Sequence, residues 1–121
     1  MHDATECGVW GGLHEMARAG NYGLRIDEEA IPMQPIIKKT AELFEFDPYS
    51  SISEGTLIII VDQKEAGDLV KAFGEERIPA DVVGEVVPEK DGLTIVKGQE
   101  KRALEHPKVD PYWILAARFS Q

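Results

Sequence analysis

Cysteine is nearly missing from this sequence, where Cys7 stands alone. One thiol excludes an internal disulfide and any cysteine-rich zinc cluster, and its scarcity fits a reducing compartment. Basic residues are also in short supply. The 13 Lys and Arg face 22 Asp and Glu, for a net charge of −9, and they form no run. Recognition of nucleic acid or of an anionic membrane surface through charge is therefore not expected. Long apolar runs are lacking too. The longest, Leu57 to Val61, is far too short to span a bilayer. Met1-His2-Asp3 does not open into the basic start and apolar stretch of a secretory signal, so a cytoplasmic protein is expected. No repeat, low-complexity tract or linker divides the chain. Its 121 residues suit one domain, 1–121, large enough to bury a real core. The three histidines, His2, His14 and His106, lack ligand spacing with Cys7 or the acids, and no metal site is expected.

What the sequence does have is concentrated at its start, MHDATECGVWGGLHEMARAG. Asp3 and Thr5 are good N-cap types, and Asp3 with Glu6 has capping-box spacing. Gly8, Gly11 and Gly12 bare the backbone near a helix start, and Val9, Leu13, Met16 and Ala17 supply one apolar stripe. Gly20-Asn21 is the stop. Free N–H groups and the positive dipole end, beside glycines, suit an anionic group.

Further along, Tyr22, Leu24 and Ile26 alternate with Gly23, Arg25 and Asp27, the period of a half-buried strand. Pro35 opens a helix whose apolar face is Ile36, Ile37, Thr40, Ala41 and Phe44, finished before Asp47-Pro48. A polar loop, Tyr49 to Gly55, leads to Thr56–Val61, predicted as a fully buried strand from its β-branched run. Asp62 and Glu65 repeat the capping spacing ahead of a helix with the stripe Ala66, Leu69, Val70 and Phe73, closed by Gly74. Ala80 to Val87 is rich in β-formers, with Gly84 marking a bulge or close backbone approach. Glu89-Lys90-Asp91-Gly92 carries the Asp-Gly hairpin signal and predicts pairing of that segment with Leu93–Val96. No pattern is legible from Gly98 to Pro107. Pro111 starts a short helix with Trp113, Ile114, Ala117 and Phe119 as its apolar side. Helices alternating with strands predict an α+β fold of mixed α/β layers.

The opening HDATECGVWGG, the Pro-started helix, the FDP turn, the SEG loop and the LIII run resemble, in order and spacing, the C-terminal domain of AIR synthase-related proteins. That superfamily includes the hydrogenase expression/formation (maturation) type, which the opening motif and the SEG resemble most. The resemblance covers roughly residues 1–97 and implies helices packed on a mixed sheet, beside a dimeric N-terminal domain. That N-terminal domain, which this chain lacks, binds most of the ATP and magnesium through its own acids. The C-terminal domain closes over the cleft and turns its Gly-rich loop to substrate or phosphate. Carried over by motif, the binding positions are Asp3, Thr5, Glu6 and Gly8, with Ser53, Glu54 and Gly55 as a second group. No catalytic residue is implied here, and activity without the ATP-binding half is not expected.

Two departures stand out. Cys7 occupies the first of two family glycines, and if that position needs a positive φ a cysteine is strained there. The tail Arg118-Phe119-Ser120-Gln121 lacks the acceptor cysteine of the hydrogenase-maturation type. Opening at the motif itself, the chain is expected to be one domain of a split or truncated protein, or a fragment, with the ATP-binding half or parent polypeptide as partner. An apolar face should then be exposed, or be covered by self-association as a homodimer. The alternative is a non-catalytic interaction or regulatory module that keeps the fold. Plainer readings stand beside the site: Cys7 as a small buried residue, Glu54 as a backbone cap, Trp10 and Trp113 as core or interface, and Glu28-Glu29 and Glu75-Glu76 as solvated turns.

Overall fold

The computed structural model describes residues 1–120. Its backbone groups into two compact units. One comprises Met1–Asn21, Met33–Ile59 and the segment from Leu104 onward, the other Tyr22–Pro32 and Ile60–Ala103.

The first unit holds β1 (His2–Asp3), α1 (Gly8–Gly20), α2 (Pro35–Phe44), β3 (Leu57–Ile58) and α4 (Pro111–Phe119). The two short strands pair antiparallel, His2 against Ile58 and Asp3 against Leu57. Trp10, Leu13 and Ala17 bury one face of α1, along with Ala4, Cys7, Ala41 and Leu104. Burying such side chains is worth roughly 1.5–3 kcal/mol for each large one. Asn21 ends α1 in the left-handed region, its N–H donating to Ala17, as the predicted stop requires. Pro35 stands at the start of α2, and Glu45 closes it with φ 55.

The second unit is a four-stranded mixed sheet in the order β4-β2-β5-β6, made of β2 (Gly23–Asp27), β4 (Gly84–Val87), β5 (Leu93–Lys97) and β6 (Glu100–Ala103), with α3 (Gln63–Glu75). β2 runs antiparallel to β4 and parallel to β5, with Ile26 facing Ile95. Leu24, Ile26 and Ile95 are buried, so the predicted alternation of β2 holds. Asp62 caps α3, accepting the Lys64 amide at 3.1 Å, and Ala66, Leu69, Val70 and Phe73 are its half-buried residues.

The hairpin predicted at Glu89–Gly92 is not formed. β2 lies between β4 and β5, and the chain crosses the end of β2 through a 3-10 turn at Glu89–Asp91. Gly92 (φ 73) accepts the Leu24 amide, and Gly23 makes room, because a Cβ there would lie 2.5 Å from Gly92 O. The Asp-Gly signal reports a turn but not which strand lies beyond it. The missed hairpin is β5–β6, where Gly98 and Gln99 join the Lys97–Glu100 pair.

Four further expectations are corrected. Only Leu57–Ile58 of the Thr56–Val61 run is strand, and Leu57, Ile60 and Val61 are exposed. Gly74 does not close α3. The helix runs to Glu75, and Arg77 (φ 60) and Ile78 donate back to Gly74 and Phe73, a Schellman end. Glu28 is not a solvated turn residue but buried between Lys97 and Arg102. The apolar sides assigned to α2 and α4 are largely exposed: Ile36, Ile37 and Phe44 on one, Trp113, Ile114 and Phe119 on the other. Leu43 is also exposed, so apolar residues stand open on both helices, while the Phe44 and Phe119 rings meet edge-on at 5.7 Å. No helix among the described residues is long and apolar enough to cross a membrane.

Candidate functional site

The turn ahead of α1 is built differently from its sequence pattern. Asp3 is not an N-cap, because β1 holds it opposite Leu57. The helix starts at Gly8 with Cys7 as its N-cap, and no side chain of the turn caps it. Cys7 lies at φ 60, ψ 14 and Gly8 at φ 59, two consecutive left-handed residues. The positive φ suspected at Cys7 is therefore real, in a region L-residues seldom occupy. Gly8 cannot be larger, since a Cβ would lie 2.5 Å from both Tyr49 O and Ser51 O. The missing cap comes from a distance of 103 residues: Asp110 Oδ2 accepts the Cys7 amide at 2.8 Å.

The structure brings the two motif groups together. The Thr5 carbonyl accepts the Ser53 amide at 3.0 Å, and Tyr49 O accepts the Trp10 amide at 3.1 Å. Within the loop, the Ser53 and Thr56 hydroxyls share a hydrogen bond of 2.6 Å. Thr5 and Ser53 are thus joined directly, while Gly8 is buried against the Tyr49 and Ser51 carbonyls of the same loop. Glu6 is exposed, and its Oε1 accepts the Trp113 indole N–H at 3.3 Å. Glu54 and Gly55 are exposed, and Gly55 (φ 78) has open space where a side chain would stand. Asp3 is exposed beside His2, Oδ1 lying 3.4 Å from Nδ1.

Burial first, then the carboxylates of Asp110, Glu6 and Glu15, push the Cys7 thiol up from its usual range. A shift in that direction disfavours the thiolate, which supports the reading of Cys7 as a small packed residue. A polar cluster borders the turn. Glu15 offers Oε2 to His2 Nε2 at 2.7 Å and Oε1 to His106 Nε2 at 3.3 Å. Since His106 Nδ1 accepts the Lys108 amide at 3.0 Å, its proton sits on Nε2, facing Glu15. Among the described residues no group of three His, Cys, Asp or Glu could hold a metal ion.

Sequence reasoning missed Tyr49, Ser51 and Asp110 as parts of this turn. Pro111 was legible as a helix start, but Asp110 before it was not singled out as the cap. The bond from Asp110 to Cys7 was not legible either, because nothing local encodes a contact so distant in sequence.

A mixed α/β domain with a doubly left-handed turn leading into its first helix is the class that this structure defines. The chain belongs to the family described as AIR synthase related protein, C-terminal domain, whose profile matches residues 1–97. It is 31% identical over 113 residues to carbamoyl dehydratase HypE of Escherichia coli (strain K12), covering 92% of this chain and 34% of that protein. The crystal structure of E. coli HypE, a hydrogenase maturation protein, aligns with a TM-score of 0.81 at 33% identity, over 90% of this chain and 35% of that one. HypE crystallised in complex with ATP aligns with a TM-score of 0.76 over 86% of this chain and 34% of that one, and at 21% identity that is a likeness of fold alone. The chain spans about a third of the length of these relatives.

Proposed function

We propose that this chain supplies the cleft-closing C-terminal domain of an ATP-dependent hydrogenase-maturation protein of the HypE kind. The single observation that carries the reading is the Thr5–Ser53 bond. It joins the Asp3–Gly8 turn and the Ser53–Gly55 loop into one wall, with exposed carboxylates and an open, positive-φ Gly55 at its rim. In this reading Asp3, Thr5, Glu6, Gly8, Ser53, Glu54 and Gly55 position substrate or phosphate, while an N-terminal ATP-binding domain holds ATP and magnesium. The wall then acts by orientation, and the phosphoryl transfer is carried out across the cleft. The exposed apolar residues of α2 and α4 support a chain that works with a partner, whether that N-terminal half or a second copy.

The test is reconstitution. The chain mixed with the N-terminal domain of a HypE-type protein is expected to associate and hydrolyse ATP, and Asp3→Ala and Ser53→Ala should lower the rate without abolishing association. No association with any such domain would sink the reading.

A second reading, a non-catalytic interaction module, draws on a different observation: the Cys7 amide already answers a carboxylate of the same chain. Calorimetric titration with ATP and inorganic phosphate separates the two. Silence in the reconstituted pair together with tight protein association favours the second.

A further inference from the structure

We propose that Asp110 is the positioning residue of the Glu6–Gly8 turn, holding Cys7 in its left-handed conformation and coupling the turn to the start of α4. Asp110 is 1% exposed and both of its oxygens are engaged. Oδ2 accepts the Cys7 amide at 2.8 Å, and Oδ1 accepts the Tyr112 amide at 2.9 Å. One carboxylate therefore caps α1 and α4 at once, sitting where the positive ends of both helix dipoles favour a negative charge.

Cys7 has no side-chain oxygen to cap its own helix, and as a non-glycine residue at φ 60 it needs an outside constraint. Asp110 supplies it. If the turn relaxed toward the extended conformation, the Cys7 amide would swing away and leave Oδ2 buried without a donor. The Trp113 indole on Glu6 is a second tie from α4 to the same turn. Both ties come from beyond residue 97, outside the stretch the family profile matches. The consequence for ligands rests on the proposed function: a displacement of α4 moves the turn that would face substrate.

The experiment is a double-mutant cycle on the 121-residue chain, read by denaturant unfolding. Asp110→Ala is expected to raise the unfolding equilibrium constant by roughly thirtyfold with Cys7 in place. In the Cys7→Gly background, where the left-handed turn needs no holding, the effect should shrink by about fivefold or more. Equal effects in both backgrounds would mean that Asp110 does not hold the conformation of residue 7, and would overturn the proposal. Should Asp110→Ala fail to fold, Asp110→Asn keeps the shape and one acceptor, and the same coupling is read from it. A second readout is the alkylation rate of Cys7 by iodoacetamide in the folded chain, expected to rise about tenfold in Asp110→Asn as the turn opens. An unchanged rate counts against the proposal. Neither readout involves ATP, so each can fail or succeed independently of the reconstitution above.

Discussion

Arg102 donates through Nη2 to Glu28 Oε2 at 2.6 Å, joining the turn after β2 to the last strand of the sheet across 74 residues. Lys97 Nζ takes the other oxygen at 3.1 Å, so two cations from one hairpin hold a carboxylate that is only 8% exposed. The β5–β6 hairpin is thereby tied to the turn after β2 by charge as well as by the β2–β5 ladder. Glu28→Ala should lower stability by about 2 kcal/mol, because both cations lose a buried partner. Arg102→Ala leaves Glu28 with Lys97, and since Arg102 is half exposed its loss should cost about 1 kcal/mol or less. Urea midpoints at unchanged m-value measure both, and a reversed order would refute the assignment.

The His2–Glu15 pair predicts a pH window. Glu15 raises the His2 imidazole above 6.5, and His2 in turn holds Glu15 below 4.5. A raised histidine stabilises fully below its unfolded value and loses that contribution as pH climbs through the folded one. A depressed glutamate contributes above its unfolded value and loses it as pH falls through the folded one. The pair is thus at full strength between pH 4.5 and 6.5. His14 opposes it: burial, then His106 and Arg18, lower its pKa, so it removes stability as pH falls through 6.5. Both members of the pair are partly exposed, so the gain should stay under about 1 kcal/mol. The stability difference between the native chain and Glu15→Gln should peak near pH 5.5 and fade toward pH 8. A difference that stays flat over that range contradicts the pairing.

Two glycines should respond oppositely to alanine. Gly67, inside α3, has nothing within 4 Å of where a Cβ would stand, so Gly67→Ala should gain about 0.5–1 kcal/mol. At Gly23 the added Cβ would lie 2.5 Å from Gly92 O and 2.7 Å from Pro88 O, both backbone atoms. Gly23→Ala must therefore push the β4–β5 crossover aside, with a loss of about 2 kcal/mol or more. Thermal unfolding of the two variants decides it.

The two apolar positions Leu13 and Ile114 should also diverge. Leu13 is 3% exposed on α1 and Ile114 is 61% exposed on α4. Leu13→Ala should cost about 3 kcal/mol. Ile114→Ser should shift stability by less than about 0.5 kcal/mol, and it should lower the binding of a hydrophobic dye. A large loss of stability from Ile114→Ser would show that α4 packs through that face.

Where a residue's role depends on near neighbours in the chain, it was legible. Pro35 and Pro111 open their helices, Asp62 caps α3, Asn21 ends α1, and Leu24 and Ile26 alternate inward, since each answers to backbone groups within a turn or a strand. The motif order also identified the family, because it strings local signals at fixed spacing. The β-branched run after Thr56 misled, since apolar content reports a preference for burial and not whether a second surface covers it. Asp3 misled for a related reason. Its capping spacing was real, but pairing with Leu57 claimed its backbone first.

Sequence alone therefore determined the helices, the β2 alternation, the kind of fold and the suspicion that Cys7 occupies a glycine's conformation. Only the tertiary structure decided that β2 separates β4 from β5, that Glu28 is buried, and that Asp110 caps a helix 103 residues away. The physical reason is range. Dihedral preference and side-chain periodicity act within a few residues, whereas strand order and the pairing of a buried charge are settled by which distant groups can satisfy it.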